Sequence, residues 1–192
     1  QQRMELQKDV LKALDEMRES RIFEKMGTAL LPFTLGVEPG APPSHSLYQL
    51  SEGAISARLA EFLSFEPFIS QPEKVAELHQ MRIAAKRLRY TLETFASLYP
   101  DGLSGKLTIL RAAQELLGDI HDCDVWSLAL PRFLEEEKQR VIEFYGVQGP
   151  LNLLLPGVNA IMEDLLAVRS EKYQTFLRKW QNWKEKGTWA EL

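Results

Sequence analysis

Residues 78–90 read LHQMRIAAKRLRY, a stretch with one histidine, three arginines, one lysine and no acid. At about 100° per residue, His79, Arg82, Lys86, Arg89 and Tyr90 share a helix stripe roughly a quarter-turn or a little more in width. Arg87 departs from it. The apolar positions Met81, Ala85, Leu88 and Leu92 lie beside the stripe, so the charges border the buried face, where water screens less. That arrangement suits a polyanion. Arginine offers a planar fork to two phosphate oxygens, lysine a point charge, and histidine a donor that becomes cationic when a phosphate raises its pKa. The competing reading is a solvated face paired with acids on neighbouring helices. The lack of any acid between Glu77 and Glu93 argues against it.

A second stretch, LRAAQELLGDIHDCDV at 110–125, places Arg111, Gln114, Gly118, His121 and Asp122 on one stripe by the same angular count. If the short turn PDGLSG makes the two helices antiparallel, His121 and Asp122 come level with His79 and Arg82, and Gly118 with Lys86. Glycine there costs about 1 kcal/mol of helix propensity, in exchange for close backbone approach or room for a ligand. Asp122 is expected to orient His79 or Arg82, with an ordinary interhelix salt bridge as the alternative.

The elements that must position these residues are helices. Periodicity predicts them over 1–31, 47–65, 73–99, 103–129, 131–145 and 158–186. Residues 31–46 hold four prolines and two glycines and read as a linker. The expected organisation is a leading helix at 1–31, a linker at 32–46 and a bundle over 47–192. No alternating β-branched run calls for a strand. The fold class is all-α, an antiparallel bundle of long helices. Tyr173, Phe176, Trp180 and Trp183 follow core spacing, Cys123 reads as a small core residue, and His45 falls in the loop. A faint repeat pairs Arg18 and Arg21 late in the first helix with Arg169 and Lys172 in the last.

Composition sets the bounds. With 27 acids against 23 bases and a net charge of −4, nothing global favours nucleic acid or a membrane surface, so anion binding must be local. One cysteine cannot form an internal disulfide, which favours a reducing, cytoplasmic setting. No apolar stretch is expected to reach the ~18–20 residues of a bilayer span. The missing initiator Met reads as a fragment or a processed chain.

The pattern His79-x-x-Arg82-x-x-x-Lys86-Arg87-x-Arg89-Tyr90, a Tyr-Pro turn, then Gln114-x-x-Leu117-Gly118-x-x-x-Asp122 resembles the CHAD family, the conserved-histidine α-helical domains. The resemblance implies two similar helical halves whose basic residues line a groove or pore for inorganic polyphosphate. It implies a binding module without catalysis or cofactor, sometimes accompanied by a triphosphate-hydrolysing domain or enzyme. A cytoplasmic location at polyphosphate granules goes with it. Residues 73–186 would be the second half and 1–31 the last helix of the first, whose own basic hairpin is absent. The polyphosphate-binding set is then His79, Arg82, Lys86, Arg89, Tyr90, Arg111, Gln114, His121, Arg169, Lys172, Arg18 and Arg21, with Asp122 orienting. The apolar side of 1–31 (Leu6, Val10, Leu14, Met17) would fold back on the bundle or pair with a second copy in a homodimer.

Two other readings stand beside it. His79, His121-Asp122, Asp124 and a distant Asp164 are similar to the ligand pattern of HD-type metal-dependent phosphohydrolases, although Arg82 and Lys86 would repel a dication. A helical interaction module could take an acidic protein. Nucleic acid shares the electrostatics but lacks an exposed aromatic row for stacking.

Overall fold

The computed structural model describes the backbone of residues 2–34, 44–99 and 102–189, and the side chains of 7–31, 44–99, 102–149 and 151–189. The Leu6 side chain and most of the Pro/Gly-rich linker lie outside that set. The chain forms two compact units, Gln1–Pro43 and Ser44–Leu192. No strand occurs among the described residues.

The first unit holds α1 (Gln2–Glu19) and α2 (Ile22–Thr34), where the sequence predicts one helix. The break falls at Ser20-Arg21. Ser20 Oγ turns back to donate to the Met17 carbonyl at 2.8 Å, and Arg21 adopts φ 49°. That left-handed conformation costs an L-residue roughly 1–2 kcal/mol. Val10, Leu11, Leu14 and Met17 are exposed.

The second unit carries the bundle. α3 spans His45–Leu63 and is capped by the Ser44 side chain, which accepts from the Leu47 N–H at 3.3 Å. His45 therefore opens a helix and does not sit in a loop. α4 covers Val75–Phe95 and ends in a 3₁₀ turn at Ala96–Leu98, inside the predicted 73–99. α5 runs from Ser104 to Tyr145 as one helix about 63 Å long, where two were expected. Pro131 removes the amide that would bond the carbonyl of Ser127, yet α5 continues through it, with α6 (Leu155–Glu185) packed along α5.

The core lies among α3, α4, the first half of α5 and the second half of α6. Phe62, Met81, Leu88, Leu92, Leu110, Leu117, Ile120 and Phe176 are fully buried there. Tyr173, Trp180 and Trp183 are buried at the predicted spacing, and the Tyr173 hydroxyl donates to the Ile69 carbonyl at 2.6 Å. Ala84, Ala85 and Ala113, all buried, keep side chains short between α4 and α5. Cys123 is a buried free thiol whose pKa is pushed up by burial first and by Asp124 and Asp119 next. It is a packing residue and no nucleophile. The expectation that no apolar stretch reaches bilayer length does not hold. By length and composition alone Leu151–Glu185 reaches what a membrane span requires, although Glu163-Asp164 interrupts it and its second half supplies the core aromatics.

Candidate functional site

The α4–α5 pair sets the geometry. His79 stacks on His121, with ring centroids 4.0 Å apart and planes at 29°. The nearest neighbour of a Cβ placed on Gly118 would be Arg82 Nε at 3.4 Å. Further along, Arg111 reaches Glu93 at 3.0 Å. Each step up α4 is thus matched by a step down α5. Gly118 comes level with Arg82, one turn from the predicted Lys86, and on the same register Gln114 is level with Lys86.

Five buried polar atoms on these facing stripes lack a hydrogen-bond partner: His79 Nδ1, Arg82 Nε, Arg89 Nε, Gln114 Oε1 and His121 Nδ1. Leaving such an atom unsatisfied costs about 1–3 kcal/mol, so their grouping along two facing helix stripes marks a place built to meet something polar. Lys86 completes the cluster and makes no ion pair among the described residues. The electrostatics point the same way. His79 is held below its ordinary pKa by burial first, then by the positive charge of His121, Arg82 and Lys86. A site that depresses a histidine this way favours an anion.

The remaining predicted residues are placed differently. Glu93 accepts from Arg89 Nη1 at 3.2 Å and from Arg111 Nη2 at 3.0 Å, so one acid is shared by two guanidiniums. The Arg89 guanidinium also lies 4.5 Å from the Tyr90 ring centroid. Tyr90 is exposed and borders α3 near Ala54 and Arg58, so it stands apart from the stacked histidines. Arg169 donates from Nε to Asp124 at 2.5 Å and from Nη2 to the Pro72 carbonyl at 2.8 Å. Lys172 pairs with Asp119 at 2.7 Å, and that carboxylate holds its pKa up. Both α6 cations are therefore neutralised by α5 acids in the free protein. Arg18 and Arg21 belong to the first unit, where Arg21 pairs with Glu24.

Asp122 does not orient His79 or Arg82. Its side chain is exposed and makes no hydrogen bond or ion pair among the described residues, because one residue past His121 the helix has turned it about 100° toward solvent. Arg87 does face away as its position predicts, pairing with Glu61 of α3 at 2.5 Å. Sequence reasoning missed Glu93, Asp119 and Asp124 as the acids that divide the cations into committed and free. Their spacing held the signal, since Asp119 and Asp124 run antiparallel to Lys172 and Arg169. For the HD-type alternative, Asp124 is occupied by Arg169, Asp164 is exposed, and among the described residues no three His, Cys, Asp or Glu side chains converge.

No curated protein and no solved structure matches the chain. A family model described as CHAD domain matches residues 1–131 of the 192, a stretch that contains the whole α4–α5 cluster and ends before α6. The chain belongs to the CHAD-domain family.

Proposed function

We propose that the protein binds inorganic polyphosphate in the α4–α5 cleft and does not turn it over. The observation that carries this reading is the uncommitted pair Arg82 and Lys86 beside the stacked histidines, amid polar atoms that lack partners. A phosphate chain supplies acceptor oxygens at a regular repeat, so one chain can meet several of these donors in turn. Arg89 and Arg111, which share one acid, extend the positive track along the hairpin. The nearby carboxylates Asp119 and Asp124 are held by Lys172 and Arg169, which leaves neither as a general base. The same reading carries the expectation of a cytoplasmic setting and of a triphosphate-hydrolysing partner.

Salt dependence tests the reading. Each phosphate contact releases counterions, so the affinity should fall linearly on a log–log plot against salt concentration. Fluorescent polyphosphate titrated at several salt concentrations measures the slope. Binding absent at low salt, or indifferent to salt, rules the proposal out.

Gly118→Ala separates ligand contact from stability. The added methyl would meet Arg82 Nε at ordinary contact distance, while helix propensity improves by about 1 kcal/mol. The expected variant melts at the same or a higher temperature and binds polyphosphate several-fold more weakly. A stabilised protein with full affinity would show that Arg82 Nε takes no part.

A further inference from the structure

His79 and His121 stack at 4.0 Å with a buried, unpartnered Nδ1 on each ring. A neutral imidazole has one donor and one acceptor, whereas its protonated form has two donors. A phosphate chain brings acceptors and negative charge. The ring that meets it therefore gains twice from a proton, in charge and in a second donor.

The surroundings withhold that proton until an anion arrives. From α4, Arg82 and Lys86 face the pair, and Glu77 is taken by Lys74. From α5, Asp119 and Asp124 are bound to Lys172 and Arg169 of α6, and Asp122 is turned to solvent. Among the described residues no carboxylate hydrogen-bonds either ring. Two charged rings at this separation would repel each other.

We propose that the stacked His79–His121 pair takes up a proton when the cleft takes a polyphosphate chain, so that binding tightens as pH falls. This rests on the polyphosphate reading and adds its regulation. The sign follows from linkage. In the free protein His79 is depressed below 6.5, so acidification toward that lower value favours the unfolded chain, which protonates first. Bound anion raises the same pKa. Affinity is then highest and flat below the free value, and is lost as pH rises through the bound one. The slope reaches about tenfold per pH unit for one proton.

The test is calorimetric titration of long-chain polyphosphate at fixed ionic strength and one pH near 6.5, in two buffers of different ionisation enthalpy. Wild type should show a buffer-dependent enthalpy equivalent to about one proton per site. His79→Gln/His121→Gln should show none, and a flat pH profile. Binding without proton uptake in wild type overturns this inference alone, as does uptake that survives in the double variant. No binding at any pH, even at low salt, removes the polyphosphate reading and this inference with it. Should the double variant fail to fold, NMR titration of the wild-type rings decides. His79 should titrate at higher pH with polyphosphate present, with exposed His45 as the internal reference, and an unmoved His79 overturns the proposal.

Discussion

Arg82→Glu/Lys86→Glu should lower polyphosphate affinity by more than about a hundredfold, whereas Arg58→Glu/Arg87→Glu should change it by no more than about twofold. The two variants shift net charge equally, so only position separates them. Hydrogen bonds to charged groups contribute about 1.5–3 kcal/mol each. Losing two and adding repulsion beside the low-dielectric face readily exceeds a hundredfold. Arg58 and Arg87 instead hold Glu61 on the α3 side, at 2.7 and 2.5 Å. The Arg58 hydrogen bond, then Arg87, keeps the Glu61 carboxyl below its ordinary pKa. Replacing both costs about 1–2 kcal/mol of stability, since such exposed pairs contribute little each. Fluorescence anisotropy with labelled polyphosphate measures the affinities, and urea unfolding checks the fold. Equal losses in both variants would mean that overall charge governs binding.

Phe62→Ala should destabilise the second unit by about 3–5 kcal/mol. Phe62 is fully buried, and its ring centroid lies 5.4 Å from those of both Trp180 and Trp189. It therefore ties α3 to the C-terminal aromatics of the same core. The side chain is far larger than alanine and the surrounding indoles are themselves packed, so the cavity closes poorly. The shift in urea midpoint measures the loss at constant slope. A change under about 1 kcal/mol would mean that α3 is held chiefly by its other contacts, among them Tyr48–Tyr99, Ser51–Tyr99 and Glu61–Arg87.

Much of this was legible from periodicity. The apolar spacing of α4 and α6 gave the buried residues, and the angular count separated Arg87 from Arg82 and Lys86. What escaped depends on contacts distant in sequence or on single-residue rotations. No glycine or proline marks Ser20-Arg21, so nothing local announces the break between α1 and α2. Pro131 is a breaker by its own chemistry, yet it sits inside α5, a helix that α6 packs along. Asp122 shares a coarse stripe with His121, yet one step of rotation is enough to put it in solvent. The division between committed and free cations depends on the register of α6 against α5. The approach of His79 to His121 depends on that of α5 against α4. Neither register is written in any short segment.

On the proposed reading, the free donors of the α4–α5 hairpin are the ones that meet the anion. The arginine Nε–Hε resonances report on it directly. Polyphosphate added to isotopically labelled protein should perturb Arg82, whose Nε has no partner, while Arg58 and Arg87, held by Glu61 on the other side of α4, stay in place. Shifts concentrated at Arg58 and Arg87, or spread evenly over all arginines with Arg82 unmoved, would contradict the account.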